Sequence, residues 1–278
     1  MGIPGISPAH SWFSSQETDI MQEFKQLHQQ TTPFIIGNVW DAASARCAQQ
    51  AGYQALGTSS AAIASLLGYE DGEQIPFAEL VFMVRRIAAV SKLPLSVDIE
   101  AGFSRNPEVI ALHIQQLAAL GVAGINIEDS RVDADRTLVP AEEFAAILSA
   151  VKAILQHDQT EVFLNVRCDA FLLGLDNACA ETVKRAQIYQ MAGADGLFVP
   201  CLTQAEHIKA VVAASRLPVN VMAMPDLPYF EVLAGLGVKR ISSGNFAHDV
   251  MHRHLLNQMV EMKQSGSCKS LFGSSTAG

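Results

Sequence analysis

Residues 120–130, LGVAGINIEDS, contain the unit from which the rest of this chain is built. An apolar helix stops at Gly121, a short β-branched run follows at once, and the run ends in acidic residues. Glycine most cheaply adopts the left-handed conformation that closes a helix, so the segment predicts a helix end followed by a buried strand. The same pattern recurs as AGYQALGTSS (51–60), AGADGLFVPC (192–201) and LGVKRISSG (236–244).

Eight candidate strands can be identified along the chain. They are FIIGNV (34–39), ALGTSS (55–60), LPLSVDIE (93–100), GINIED (124–129), VFLNVRC (162–168), GLFVP (196–200), PVNVMA (218–223) and RISSG (240–244). Most are continuous apolar runs, which are typical of strands covered on both faces, and amphipathic helical segments separate them. Alternating strands and helices of this number predict a closed (β/α)8 barrel of the TIM type. A doubly wound open sheet is the alternative, but no glycine-rich GxGxxG or GxxxxGK loop follows any strand.

The whole chain, residues 1–278, is predicted to form one domain with a barrel core at about residues 30–265. The segment SSQETDIMQEFKQLHQQ (14–30) is predicted to be a helix that caps the barrel bottom. The segment AHDVMHRHLLNQMVEMKQS (247–265) is predicted to be the last helix. The small polar tail GSSTAG (273–278) is predicted to be flexible.

Charge and composition disfavour several classes of partner. Nineteen Lys and Arg residues against 28 Asp and Glu give a net charge of −9, which disfavours binding to nucleic acid. The first residues lack the basic start and apolar stretch of a signal peptide, and no apolar run is as long as a membrane span. Five scattered cysteines without a CxxC motif fit a reducing compartment. We therefore expect a cytoplasmic protein without nucleic-acid or membrane partners.

Three acidic residues at the ends of neighbouring strands predict a metal site. Asp98 and Glu100 are two residues apart on one strand, so both side chains point to the same face. Glu128 ends the next strand, and the active sites of such barrels lie at these strand ends. Like-charged carboxylates repel unless a cation lies between them, and all-oxygen ligation favours Mg²⁺ or Mn²⁺. The alternative is a solvated acidic rim without a metal.

Arg167 ends a further apolar strand and is predicted to face this acidic cluster. We predict that it clamps a substrate carboxylate, with a structural ion pair as the alternative. Ser59 and Ser60 lie in a turn after a strand, where hydroxyl and backbone N–H groups suit a carboxylate or an oxyanion. Cys168 and Cys201 also lie at strand ends, but without a paired base we expect them to be packing residues.

Six segments, in order along the chain, carry a family resemblance. They are GNVWDAASARCAQQAGYQALGTSS (37–60), LGYEDGE (67–73), LPLSVDIEAGF (93–103), GVAGINIEDS (121–130), LNVRCDAF (164–171) and VNVMAMP (219–225). Over most of its length the chain resembles the isocitrate lyase and phosphoenolpyruvate mutase superfamily. The resemblance implies a (β/α)8 barrel whose last helix swaps onto a partner subunit in a homo-oligomer, a dimer or more usually a homotetramer. It also implies Mg²⁺ or Mn²⁺ chelated by a small 2-oxo or 2-hydroxy carboxylic acid.

The resemblance also implies roles for individual residues. Asp98 and Glu100 match the family's metal-site acids, and Asp71 and Glu128 match further acids that support the metal through water. The predicted metal site therefore consists of Asp98, Glu100 and Glu128. The predicted catalytic residues are Asp71, Glu128 and Arg167. The predicted substrate-binding residues, including two at the end of the first strand, are Trp40, Asp41, Gly57, Thr58, Ser59, Ser60, Arg167 and Asn220.

One departure from the family affects the expected reaction. Isocitrate and methylisocitrate lyases carry a KKCGH or KRCGH loop whose cysteine transfers a proton, whereas residues 128–143 here read EDSRVDADRTLVPAEE, without cysteine. The resemblance therefore favours another Mg²⁺-dependent carbon–carbon lyase that acts through an enolate. The open alternatives are phosphorus–carbon chemistry, as in phosphoenolpyruvate phosphonomutase or phosphonopyruvate hydrolase, oxaloacetate decarboxylation, and a non-catalytic 2-oxo acid binding protein. The general base is open among Asp71, Arg131, Asp133 and a metal-bound water.

Overall fold

The computed structural model describes residues 15–133 and 135–272, and its central feature is a ring of parallel strands. Its strands are β1 (Phe34–Ile35), β2 (Gly37–Val39), β3 (Leu56–Thr58), β4 (Leu95–Asp98), β5 (Gly124–Glu128), β6 (Ser130–Val132), β7 (Arg136–Leu138), β8 (Phe163–Arg167), β9 (Gly196–Val199), β10 (Val219–Met222) and β11 (Arg240–Ser242). The main sheet has the order β1-β11-β10-β9-β8-β5-β4-β3-β2. The predicted (β/α)8 barrel is confirmed, and each of the eight predicted segments contains an observed strand.

The barrel closes through its first strand, which consists of β1 and β2 with Ile36 between them. β1 pairs with β11, while β2 pairs with β3 at the other end of the sheet order. Successive amides of an extended strand point to opposite neighbours. Accordingly, Ile36 N donates to Ile241 O and Gly37 N donates to Ala55 O, both at 2.9 Å. These two bonds join the ends of the sheet into a ring.

Helices connect the strands and surround the ring. They are α1 (Ser15–Leu27), α2 (Ala42–Gln50), α3 (Ser60–Leu67), α4 (Phe77–Ala88), α5 (Pro107–Ala118), α6 (Ala141–His157), α7 (Ala178–Met191), α8 (Ala205–Ala214), α9 (Phe230–Gly235) and α10 (Phe246–Ser265), with a 3₁₀ turn at Lys269–Phe272. The outward side chains of the strands, such as Val97, Ile125 and Val166, are fully buried in one large core shared with these helices. The inward positions of the same strands are polar, and this alternation provides the polar groups of the barrel interior.

Helix α1 packs against one end of the barrel. Its residue Phe24 is fully buried in an aromatic cluster with Phe34 and Phe163, at the starts of their strands. A Cβ atom at Gly124 would lie 2.6 Å from the Phe24 ring, so only glycine leaves room for this contact. His28 stacks on Phe163 beside it, and burial together with the charge of Arg240 lowers the pKa of His28 to about 3. The opposite end of the barrel remains open for a site.

The segment after β5 is not the plain loop that the sequence suggests. β6 and β7 form an antiparallel hairpin in which Ser130 pairs with Leu138 and Val132 pairs with Arg136. Val139 N donates to Asp129 O at 2.9 Å and attaches the returning arm to the barrel. The predicted flexible tail at residues 273–278 lies outside the described residues. Among the helices that are described, we find none with both the length and the apolar character needed to cross a membrane.

Candidate active site

A cavity of about 380 Å³ opens at the carboxyl ends of the barrel strands. Its walls contain charged, hydroxyl, amide and apolar side chains from almost every strand of the ring. The lining residues are Asn38, Thr58, Ser59, Ser60, Ala61, Asp71, Asp98, Asn126, Arg136, Arg167, Leu172, Leu173, Phe198, Pro200, Met222, Ser242, Gly244 and Asn245. Since barrels of this type act at this end, the cavity is the candidate active site.

Asp98, the last residue of β4, is the buried acid of the cavity wall. Its Oδ2 accepts a hydrogen bond from Ser60 Oγ at 3.1 Å, and its Oδ1 accepts from Glu100 N at 3.1 Å. Its own amide donates to Thr58 Oγ1 at 2.8 Å, which ties the end of β4 to β3. Burial raises the pKa of Asp98, and the charge of Asp71 raises it further, against the opposing effect of Arg167.

Glu100 lies just beyond β4 but does not line the cavity. Its Oε2 accepts a hydrogen bond from Glu73 N at 2.6 Å, so the loop that follows α3 holds its side chain. Its backbone has a φ of +51°, a left-handed conformation that is uncommon for residues with a side chain. Burial, followed by repulsion from Asp71, Asp98 and Glu128, raises the pKa of Glu100 to about 8. The wall behind the cavity therefore carries crowded negative charge.

Two arginines and two carboxylates form an ion cluster beside the cavity. Arg167 Nη1 lies 3.0 Å from Glu128 Oε2, and Arg167 Nε lies 2.6 Å from Asp169 Oδ1. Arg136 Nη1, from the β6–β7 hairpin, contacts Glu128 Oε1 and lies 3.3 Å from Asp169 Oδ2. Arg136 Nη2 lies 3.2 Å from Asp71 Oδ2. Burial dominates at Glu128 and raises its pKa to about 7, although both arginines oppose this shift.

The donor set fits a hydrated divalent ion but not a cage of three carboxylates. Within residues 15–133 and 135–272, no group of three or more Asp, Glu, His or Cys side chains is arranged to hold a metal. Glu128 is engaged by arginines and Glu100 by Glu73 N, so Asp98 is the acid of the predicted ligand set that lines the cavity. Mg²⁺ keeps several waters and takes only one or two protein carboxylates. The places of Glu100 and Glu128 in the metal site stay predictions.

The structure brings some of the predicted substrate-binding residues to the cavity. Thr58, Ser59, Ser60 and Arg167 line it. The two serines begin α3, where Ser59 is the N-cap residue and its Oγ accepts from Ala62 N. Unpaired backbone N–H groups and the helix dipole favour an anion at such a helix N-terminus.

Four other predicted substrate-binding residues do not line the cavity. Asp41 caps α2 through a hydrogen bond from Ser44 N at 2.7 Å, and the rings of Trp40 and His248 pack in a T-shaped arrangement. Asn220 is buried deeper in the barrel, where its Nδ2 donates to Ser242 Oγ at 3.3 Å. Gly57 faces Ile36 and Arg240 rather than the cavity. Strand-end position alone did not distinguish these residues from the cavity wall.

Several polar residues of the wall are not among the site residues predicted from the sequence. Asn126 is two residues before Glu128 on β5, so strand alternation was an available signal for its inward position. Arg136 had no such signal, because its place depends on the fold of the β6–β7 hairpin. The candidate bases Arg131 and Asp133 pair with each other at 3.6 Å on the exposed part of that hairpin and do not line the cavity.

No cysteine lines the cavity within the described part of the chain. Cys168 is buried, lies 3.8 Å from Thr182 Oγ1, and has a pKa that burial raises well above its ordinary value. These properties fit the predicted packing role. Among the described residues, the wall thus provides no thiol for the proton transfer that a loop cysteine performs in isocitrate lyases.

Comparisons with known proteins agree on the family. The family model described as phosphoenolpyruvate phosphomutase matches residues 24–263. A putative phosphonomutase from Burkholderia cenocepacia J2315 is 36% identical, with a TM-score of 0.81 over 87% of this chain and 99% of that one. A putative lyase/mutase from the same organism is 30% identical, with a TM-score of 0.86 over 95% of each chain.

A curated relative has a more specific name. The oxaloacetate decarboxylase of Bradyrhizobium diazoefficiens is 29% identical over 249 residues, which cover 87% of this chain and 84% of that protein. The relatives are thus lyases and mutases, and they span nearly the whole barrel. Together with the barrel and its acidic, arginine-lined cavity, these matches show that the chain is an enzyme of the phosphoenolpyruvate mutase/isocitrate lyase superfamily.

Proposed function

We propose that this protein is a Mg²⁺-dependent lyase that breaks a carbon–carbon bond next to the 2-oxo group of a small carboxylic acid. The observation that supports this most is the shared cavity of Asp98, Arg167 and the N-terminus of α3. Asp98 for a cation, the α3 N-terminus for a carboxylate and the Arg167 guanidinium for enolate charge lie around one volume of about 380 Å³. That volume suits a small acid.

Each of these groups has a role in the proposed reaction. Asp98 would hold the ion, and Ser60, which donates to Asp98 Oδ2, keeps that carboxylate oriented. When bound, Mg²⁺ supplies Lewis-acid stabilisation of the charge that develops on the 2-oxo oxygen. The α3 N-terminus and Ser59 would bind the carboxylate next to the 2-oxo group. Arg167 lies in the wall, where its positive charge offsets the enolate charge.

Among carbon–carbon cleavages, oxaloacetate decarboxylation is favoured. In this reaction the bond to the departing carboxylate breaks, CO₂ leaves, the electron pair forms the enolate of pyruvate, and a proton then completes pyruvate. No base is needed to start the cleavage, which fits a cavity without a cysteine or histidine in its wall among the described residues. The curated relative from Bradyrhizobium diazoefficiens bears the name of this activity.

Phosphorus–carbon chemistry is the second candidate, since the relative at 36% identity is described as a putative phosphonomutase. It requires free cationic groups for a phosphoryl group. Arg167 is paired with carboxylates at all three nitrogens, and Arg136 has only its Nη2 edge at an exposed partner, so the wall offers few cationic groups to a phosphoryl group, which weakens this candidate.

Parallel assays distinguish the two candidates. Pyruvate release from oxaloacetate and phosphate release from phosphonopyruvate are measured with saturating Mg²⁺ and with EDTA, each against a protein-free blank for spontaneous decarboxylation. We expect Mg²⁺-dependent pyruvate release above the blank and no phosphate release. Phosphate release would support the second candidate. No product from these and other small 2-oxo or 2-hydroxy acids would contradict the lyase proposal.

We also propose a homo-oligomer in which α10 packs on a partner subunit. Its apolar side chains Val250, Leu255, Leu256 and Met259 are exposed, and His248 is the buried residue of the helix. Light scattering would test this, and a monomer at working concentration would contradict it. A cytoplasmic location is also proposed, because all five cysteines are free, as is typical of a reducing compartment.

A further inference from the structure

We propose that Arg136 selects dicarboxylic substrates by binding their second carboxylate, a position that Asp71 occupies when no ligand is bound. This inference rests on the proposed function, because it requires a 2-oxo acid in the cavity. It adds a specificity residue on the β6–β7 hairpin, which lies after β5 and reaches over to the cavity wall.

Arg167 is poorly placed for this second task because each of its guanidinium nitrogens already faces a buried carboxylate. Its Nε and Nη2 donate to the two oxygens of Asp169, at 2.6 Å and 3.3 Å, and its Nη1 faces Glu128 at 3.0 Å. Each of its three nitrogens is thus paired with a buried carboxylate. A ligand carboxylate at Arg167 would have to displace one of these interactions in a buried setting, which is costly.

Arg136 has one firmly held edge and one loosely held edge. Its Nη1 contacts Glu128, Asp169 and Ser130 Oγ, all of which are buried. Its Nη2 instead meets Asp71 at 3.2 Å, and the Asp71 side chain is 42% exposed. The Arg136 side chain itself lines the cavity and is 17% exposed. The buried carboxylates therefore orient the guanidinium while its Nη2 edge faces an exchangeable partner.

Asp71 is chemically equivalent to the carboxylate of a ligand. A half-exposed ion pair contributes little to stability, so exchanging Asp71 for a ligand carboxylate costs little. A guanidinium binds a carboxylate through a planar fork that a point charge does not match. A monocarboxylic ligand such as pyruvate lacks the second carboxylate and leaves the Asp71 pair intact. Arg136 therefore distinguishes a diacid, whose second carboxylate it binds, from a 2-oxo acid with a single carboxylate.

Binding of two ligands with the same 2-oxo carboxylate end tests this proposal. Calorimetry with saturating Mg²⁺ gives Kd values for pyruvate and for the diacid 3,3-difluorooxaloacetate, using wild type, R136Q, R136K and R131Q. Arg131 is the matched control, because it lies on the same hairpin but points to solvent and pairs with Asp133. Thermal melting of each variant reports whether the fold is kept.

We expect R136Q to raise the Kd of 3,3-difluorooxaloacetate about 30-fold, as for loss of charge-assisted hydrogen bonds, and to leave that of pyruvate within about threefold. R136K should recover part of the loss, and R131Q should match wild type. An equal loss for both ligands in R136Q would assign Arg136 a structural role and overturn the proposal, as would no loss for either. If wild type binds neither ligand, the proposed function itself fails, and this outcome is distinct from a failure confined to Arg136.

Discussion

Glu128 and Asp129 are consecutive acids at the end of β5, yet they lie in two different ion clusters. Asp129 points outward, between the barrel and α7, and is fully buried. Its Oδ2 accepts from Arg185 Nη1 at 3.0 Å and from Tyr189 Oη at 2.7 Å, and its Oδ1 accepts from Asp169 N at 2.9 Å. Glu128 points inward, between Arg136 and Arg167, and its Oε2 lacks a hydrogen bond despite the 3.0 Å approach of Arg167.

The difference shows how position on a strand decides the use of a charge. Adjacent residues of a strand face opposite sides, so a one-residue step separates a helix-packing position from a cavity-side position. The outer cluster satisfies its carboxylate completely and does not line the candidate active site, which is the behaviour of a structural ion pair. The inner cluster contains partly satisfied groups next to an open volume, which is the behaviour of a functional site.

The largest effect is expected on the inner side, at Asp98. Replacing it by asparagine removes the acid proposed to hold Mg²⁺, and we expect kcat to fall about 1,000-fold. Steady-state assays and Mg²⁺ titration calorimetry measure the loss. The exposed Asp158 provides the control, since D158N should leave both quantities unchanged. Retention of Mg²⁺-dependent turnover in D98N would remove Asp98 from the metal site.

The outer cluster should respond in stability rather than in turnover. D129N removes the buried counter-charge at Arg185 Nη1 and leaves only the partly exposed Glu181 at Arg185 Nε, so we expect the free energy of unfolding to fall by about 3 kcal/mol. Turnover per folded molecule should stay near that of wild type. Urea unfolding measures the first quantity and an activity assay at low temperature the second. A stable D129N with impaired turnover would contradict the division into a structural and a functional cluster.

The crowded carboxylates predict a pH dependence of stability on the inner side. The folded pKa of Glu100, about 8, is above its ordinary value, so the native state binds this proton more tightly than the unfolded state. The protonated Glu100 carboxyl therefore contributes its full share of the folded protein's stability below the ordinary pKa of glutamate. This contribution is lost as the pH rises towards 8. Between pH 5 and pH 8 in EDTA, wild type should lose about 3 kcal/mol more unfolding free energy than E100Q.

Urea titrations of both proteins at the two pH values measure this difference. Added Mg²⁺ should reduce the loss in wild type, because a cation offsets the repulsion between the carboxylates. Equal pH dependence of the unfolding free energy in wild type and E100Q would contradict this prediction. It would show that ionising Glu100 costs about the same free energy in the folded state as in the unfolded state.

The smallest effect on stability is expected at Asp71. Its pair with Arg136 is half-exposed, so D71N should change the free energy of unfolding by no more than about 0.5 kcal/mol. Turnover should nevertheless fall, by about tenfold, if Asp71 has its predicted catalytic role. Denaturant unfolding and steady-state kinetics on the same preparation separate these quantities. Unchanged turnover in D71N would contradict the predicted catalytic role and would show that Asp71 serves only as the ion-pair partner of Arg136.

Local pattern was sufficient to predict the barrel and the centre of the site. Helix-ending glycines followed at once by apolar runs marked four of the eight strands, and apolar runs between amphipathic helical segments marked the other four, because both patterns are set by neighbouring residues alone. The period-two alternation of β4 and β8 placed Asp98 and Arg167 on the inner face, and both line the cavity. Glu100 and Glu128 also lie at strand ends beside them, but no local pattern indicates that Glu73 and Arg136 engage their oxygens.

Only the tertiary structure decided which charges meet. Asp129 and Arg185 are 56 residues apart, and Arg136 reaches Asp71 across 65 residues, so no local pattern in the chain links these partners. Trp40 and Asp41 end a strand like the true wall residues, but the start of α2 directs them away from the cavity. The sequence by itself thus determined the barrel and its inward-facing acids and arginine. Closure of the ring and folding of the hairpin determined their partners, because those contacts form only when distant segments pack together.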